Sequence, residues 1–161
     1  MKFFKYIFVV FIISFFTSCI NTDYLNTTSN SNTVNLSSNE IFNTITKELS
    51  LPNFKSLNEN ELLDLYAIDP KILLDYVANI PNDNISGTEI AIFRLKDKSN
   101  TTEVVLGIER RIEELRNDFM INKQSEYDLI KNPYIKVFDN YVVFALHKNT
   151  DTIDKILNEI F

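Results

Sequence analysis

The side chains that most often carry covalent or acid–base chemistry are scarce in this 161-residue chain, which has one cysteine, one histidine, two glycines and no tryptophan. The histidine, His147, falls at the end of an expected strand with no serine or cysteine tied to it by spacing, so it reads as an exposed strand-end residue and not as a general base. The 22 Asp and Glu residues are scattered over helix faces, and no spacing argues for the paired carboxylates of a hydrolase; a pair formed in space by Glu89 and another acid is the one version left open. Asn82-Asp83-Asn84 lacks the further ligands and the late Glu of a calcium loop. No Cys/His cluster could hold zinc, and Gly87 and Gly107 make no phosphate-cradling loop. The expectation is a protein with no metal, no cofactor and no enzymatic activity.

The lone cysteine is explained by its position. Lys2 and Lys5 make a positive start, the apolar run from Tyr6 to Phe16 follows, and the small residues Thr17 and Ser18 precede Cys19. Eleven apolar residues are too few to span a bilayer, which takes about 20, but they suit an export signal. The order resembles the lipobox of bacterial lipoproteins, in which the thiol is alkylated by diacylglycerol and the leader is cut just before it; Phe16 stands where that pattern usually has an aliphatic residue. The resemblance implies a signal peptide over residues 1–18, lipid attachment at Cys19 and a place on the outer face of the cell membrane, where two acyl chains anchor stably. Residues 19–36 are rich in Asn, Ser and Thr, with Asp23 the one charge. They read as a disordered tether with an r.m.s. span of about 25 Å.

Sixteen Lys and Arg against 22 acids give a net charge of -6, and a chain without Lys2 and Lys5 keeps 14 against 22. Nucleic acid is therefore not an expected partner: the adjacent pair Arg110-Arg111 is surrounded by Glu109, Glu113 and Glu114.

Residues 37–161 form the expected single domain. Ser37 or Ser38 can cap a helix carrying Ile41, Ile45 and Leu49 on one face, closed by Pro52. A short helical stretch at Glu59 to Tyr66 ends before Asp69-Pro70. A strand follows from Ile72 to Ile80, with Leu74, Tyr76, Ala78 and Ile80 on one side. The next, Thr88 to Lys96, sets Ala91, Phe93 and Leu95 on one face, while Ile90 and Ile92 occupy the other and Arg94 and Lys96 carry that face into solvent. The longest helix runs from Thr101 or Thr102 to about Asn122 with Val104, Val105, Ile108, Ile112, Leu115 and Phe119 in one sector. Arg111 and Arg116 flank that sector with their guanidiniums expected in water; Arg110 and Glu114 can pair. A weaker helical stretch spans Ser125 to Lys131. Strands from Tyr134 to Phe138 and Tyr141 to His147 are joined by Asp139-Asn140, residues that tolerate positive φ. A last helix starts at Asp151 or Thr152. The fold class is α+β: a four-stranded, largely antiparallel sheet from two β-hairpins joined by a long helix, with N- and C-terminal helices. Helices cover one face, and the other is open or covered by the first helix or a partner.

Leu65-Tyr66, Ile68-Asp69, Tyr76, the run Glu89-Ile90-Ala91-Ile92-Phe93, the helix with Arg111, and Asn140-Tyr141-Val142 together resemble the bacterial lipoprotein family of domain of unknown function 4358. The likeness runs from about Ser38 to the C-terminus. It departs at Asp139, where the family usually has Gly, and over Met120 to Gln124, which lacks the family's Tyr and nearby Pro. It implies a secreted, lipid-anchored α+β domain of mostly Gram-positive bacteria and brings no activity and no catalytic residue. Among the residues that carry it, Tyr66, Asp69, Glu89 and Arg111 are the expected binding patch. The tyrosines Tyr66, Tyr76, Tyr134 and Tyr141 suit an interface on an open sheet face. The functional expectation is a binding or interaction domain at the cell surface whose partner, beyond the membrane itself, is a protein or small molecule; the alternative is a cell-envelope hydrolase or other enzyme.

Overall fold

The computed structural model describes residues 34–83, 86–122 and 124–161. The leader, Cys19 and the tether up to residue 33 lie outside the described residues.

The first two helices begin where a side chain holds the first free N–H groups. Ser37 and Glu40 form a reciprocal capping box at α1 (Ser38–Thr46), and Asn58 and Glu61 form another at α2 (Glu59–Tyr66). α2 ends on Ala67 in the left-handed region, at φ 54°, and Pro70 then opens a 3-10 turn, Pro70–Ile72. The strands are β1 (Phe54–Ser56), β2 (Leu73–Pro81), β3 (Glu89–Leu95), β4 (Tyr134–Phe138) and β5 (Tyr141–Leu146). Between β3 and β4 lie α3 (Thr101–Asn122) and α4 (Gln124–Lys131), and α5 (Thr150–Ile160) ends the chain.

The sheet has five antiparallel strands in the order β1-β2-β3-β5-β4, not four. The extra strand, β1, is three residues long and pairs Phe54, Lys55 and Ser56 with the far end of β2. Three residues are too few to show alternation, so nothing in the local pattern marks it. β3 and β4 run in the same direction but are not neighbours, because β5 lies between them and pairs with both. In the turn between β4 and β5, Asp139 takes positive φ (52°), and Asn140 docks the turn on β3 through its Nδ2 donating to the Leu95 carbonyl at 3.0 Å.

Both faces of the sheet are covered: of the alternatives expected for the second face, cover by the first helix is the one found, with the last helix beside it. One face buries Ala78, Ala91, Phe93, Val142 and Phe144 under α2, α3 and α4 through Leu62, Tyr66, Val104, Ile108, Ile112 and Ile130. The other buries Ile90, Ile92, Val143 and Ala145 under α1 and α5 through Ile41, Ile45, Ile153 and Leu157. Each Val, Leu, Ile or Phe among them contributes about 1.5–3 kcal/mol when fully buried, so exposing either face would be expensive. Strand β2 departs from simple alternation: Leu73 pairs with Leu95 and Asp75 with Arg94, so Leu74 is the extra residue of a bulge. Leu74 therefore stands exposed, and Leu73 takes the core place expected for it.

Candidate binding cleft

Three of the four expected patch residues meet where α2, β3 and α3 come together. Glu89 opens β3 with its side chain only 2% exposed, and Arg111, on the sheet-facing side of α3, is 13% exposed. The guanidinium does not reach for water as expected. It turns inward and grips the carboxylate with two bonds, Nε donating to Oε1 at 3.2 Å and Nη2 to Oε2 at 3.1 Å. This fork suits a planar guanidinium and would be lost with lysine. The Tyr66 hydroxyl, fully buried at the last turn of α2, donates to Glu89 Oε1.

Electrostatics reinforces that geometry. Burial, then the negative charge of Glu89, pushes the Tyr66 hydroxyl well above its ordinary pKa, so it keeps its proton and remains a donor. Burial alone would lower Arg111, but the Glu89 carboxylate outweighs it and leaves the guanidinium raised. Both oxygens of Glu89 are thus supplied with donors, as a buried carboxylate requires.

Tyr66 is placed by a close helix crossing. Gly107 of α3 lies so near the end of α2 that a Cβ there would stand 2.5 Å from the Tyr66 carbonyl oxygen and 2.8 Å from Ile68 Cγ1. No larger residue fits between the two helices without displacing one of them.

The pair forms one wall of a cleft of about 320 Å³ at the end of the sheet where β2 stops and β3 starts. Ile80, Pro81, Leu115 and Phe119 supply its apolar side, and Asp83, Ser86, Gly87 and Asp118 line the rest. Gly87 is held by its N–H donating to Glu126 Oε2 of α4 at 2.8 Å. The remaining terminal nitrogen of Arg111, Nη1, donates to no described residue, and Arg111 lines the cleft. The cleft thus offers a fixed donor beside an apolar wall.

The family model described as Domain of unknown function (DUF4358) matches residues 47–147. The chain belongs to that family. No curated protein and no solved structure matches it. The span matched to DUF4358 holds all five strands with α2, α3 and α4, and so contains Tyr66, Glu89 and Arg111, while α1 and α5 lie outside it.

The fourth expected residue is elsewhere. Asp69 caps the 3-10 turn through Oδ1, which accepts from the Lys71 N–H at 3.0 Å, and it does not line the cleft. His147 is buried, at 6% exposure, and not exposed as expected. Its Nδ1 accepts from the Asn149 N–H at 3.0 Å, and burial, partly offset by a hydrogen bond with the Ser50 backbone, lowers its pKa. That makes it a neutral clasp between β5 and the segment after α1, and it does not line the cleft. The four tyrosines do not form a patch: Tyr66 and Tyr141 are buried, Tyr76 donates to the Leu57 carbonyl and Tyr134 to Asp154.

A second polar group, missed in the sequence, lies on the opposite face of the sheet. Asp75, Arg94 and Tyr141 are cross-strand neighbours on β2, β3 and β5. Arg94 is not carried into solvent: it is 19% exposed, 3.4 Å from Asp75 through Nη1, and packed over the Tyr141 ring. It also donates to the Asn35 side chain. The Tyr141 hydroxyl donates to the carbonyl of Leu36 at 2.7 Å, and the Ser38 N–H donates to Asp75 at 2.7 Å. Residues 34–36, inside the expected tether, are thereby held against the sheet. Only cross-strand register brings these three together, and no sequence spacing encodes register directly.

Proposed function

We propose that this chain is a lipid-anchored extracytoplasmic lipoprotein whose domain binds a protein segment or small molecule in the cleft beside Glu89 and Arg111. The anchor is supported by the order of Lys2, Lys5, the apolar run and Thr17-Ser18-Cys19. The observation that carries the binding reading is Arg111, fixed in the wall of the cleft by its two bonds to Glu89. Such a donor costs little to order when a ligand arrives, which is the advantage of preorganisation.

The reading of an open sheet face as the binding surface loses its basis, since helices cover both faces. The hydrolase alternative draws on the carboxylates of Asp83, Glu89 and Asp118 around one opening. Against it, the Glu89 oxygens already accept from Tyr66 and Arg111 and are poorly placed to attack or to take a proton.

Two measurements test the proposal. Cys19→Ala should leave the leader uncut or release the domain from membranes; normal processing with unchanged detergent partitioning would refute the anchor. For the cleft, the domain is incubated with soluble envelope fragments, and bound species are read by native mass spectrometry. Retention by the wild type and loss in Ser86→Trp, which fills the opening, is the expected result. Equal retention by both would place binding elsewhere, and fragments shortened on incubation would favour the hydrolase.

A further inference from the structure

We propose that the end of the sheet where the N-terminal segment enters rests on an anionic lipid surface, so that the cleft, at the opposite end, is directed away from the membrane. This rests on the lipid anchor proposed above. The antiparallel pairing of β2 with β3 puts Leu73, Arg94 and Leu95 at one end of the sheet and Pro81 and Glu89 at the other. Val34 and Asn35 meet Arg94, Lys96, Lys98, Asp139 and Asn140 at the first end, in a groove of about 390 Å³. The cleft lies at the second, with Pro81, Gly87 and Glu89 in its lining. The seven residues of β3 separate the two ends by about 20 Å at the usual rise of a strand.

The point of entry is held firmly. Tyr141 grips the Leu36 carbonyl, Arg94 the Asn35 side chain, and Asp75 the Ser38 N–H. The chain leading back to Cys19 therefore departs from the Arg94 end, whatever path it takes afterwards.

Charge is arranged along the same axis. Arg94, Lys96 and Lys98 lie at the entry end, joined by Lys71, whose carbonyl accepts from Lys96 Nζ at 2.8 Å. Acids are present there too: Asp75 pairs with Arg94, Asp139 pairs with Lys98, Asp97 and Asp69 cap their own turns, and Glu40 lies near Arg94, so this end is close to neutral. Lys71 and Lys96 are exposed and form no ion pair among the described residues. The cleft end carries Asp83, Glu89, Asp118 and Glu126 against Arg111, and is the more negative of the two. An anionic leaflet attracts lysines within about a Debye length and repels carboxylates. Tether and field thus favour the same orientation.

The absence of tryptophan makes the test direct. The chain from Cys19 onward, whose two cores close within the described residues, is coupled through the Cys19 thiol to maleimide lipid in vesicles of equal parts phosphatidylglycerol and phosphatidylcholine. A single tryptophan is placed at Ser99 or at Asn82, and quenching by headgroup spin-labelled lipid is read. Strong quenching at Ser99 and little at Asn82 is expected. Lys71→Glu and Lys96→Glu should each lower the docked-to-undocked ratio about fivefold or more, and pure phosphatidylcholine should abolish the contrast. Equal quenching at the two sites, stronger quenching at Asn82, or a contrast indifferent to lipid charge and to both reversals would overturn the proposal. Chemical coupling replaces biological lipidation here, so these outcomes judge the orientation, while the partitioning of Cys19→Ala judges the anchor.

Discussion

The two faces of the sheet each carry an arginine, a carboxylate and a tyrosine, and the two groups are built differently. Glu89 and Arg94 sit at opposite ends and on opposite faces of one strand, β3. Around Glu89 the partners come from two helices, the fork is two-pronged, and both acid oxygens are satisfied. Around Arg94 the partners are a row of cross-strand neighbours, the ion pair is a single contact of 3.4 Å, and the buried Nε finds no partner. The first group closes on itself and leaves one donor for the cleft. The second spends its hydrogen bonds on residues 35–38. The same three residue types thus fix a site in one place and a strap in the other.

The largest expected effect would break this contrast outright if it failed. Arg111→Met strands Glu89 as a buried charge, a change that typically costs about 3–5 kcal/mol. Arg94→Met strands Asp75, which is 34% exposed and can be hydrated and screened, for about 1 kcal/mol or less. Urea denaturation of the two variants should differ by at least a factor of two in lost stability, and equal losses would mean that the groups are equivalent.

Gly107→Ala comes next, because its Cβ would collide with the Tyr66 carbonyl; overpacking of this kind costs about 1–3 kcal/mol. In nuclear magnetic resonance spectra the ring signals of Tyr66 should move while those of Tyr141 stay in place. Movement of both would show that the faces are mechanically coupled.

A finer comparison removes only hydroxyls. Tyr66→Phe takes a donor from a charged acceptor, for about 1.5–3 kcal/mol, and Tyr141→Phe takes one from a neutral carbonyl, for about 1 kcal/mol. Tyr141→Phe should also speed hydrogen exchange at residues 35–38, and Tyr66→Phe should not. Should both variants loosen the strap equally, the division of roles would fail.

The smallest effect concerns pH. His147 has a lowered pKa in the fold because burial disfavours its charged form, so the unfolded chain takes up its proton first as pH falls. Its effect on stability is absent above the ordinary histidine range and grows as a loss as pH drops through that range toward the folded value. His147→Gln should flatten the wild-type slope of stability against pH between about 7 and 5; an unchanged slope would remove His147 as its cause.

Much of this arrangement is legible in the sequence, and the exceptions share a cause. The long helix from Thr101, the strands at Tyr134 and Tyr141 and the turn at Asp139 each follow from local pattern, which is where periodicity and turn chemistry act. Arg110 and Glu114, expected to pair, do so at 3.0 Å. Tyr66, Glu89 and Arg111 stand out through the family resemblance, and packing brings them together. Asp69 stands out equally and is a local cap, because sequence cannot separate a carboxylate that serves its own turn from one that reaches across the fold. Arg111 lies at the edge of the apolar sector, where water and the sheet are equally near, and the buried acid opposite decides which it faces. β1, the bulge at Leu74 and the Asp75-Arg94-Tyr141 row all depend on pairing register. The burial of His147 and of the second sheet face depends on where α1 and α5 come to rest.

The place of β5 has a consequence for how the molecule is made. The last strand to be synthesised fills a central position, with Leu146 opposite Glu89 and Ala145 opposite both Ile90 and Tyr134. Until residue 146 is available, β3 is a bare edge, rich in isoleucine, that other chains could join. A nascent or C-terminally shortened chain therefore carries its greatest risk of aggregation in the middle of its future core, and that risk ends only when the final hairpin slots in.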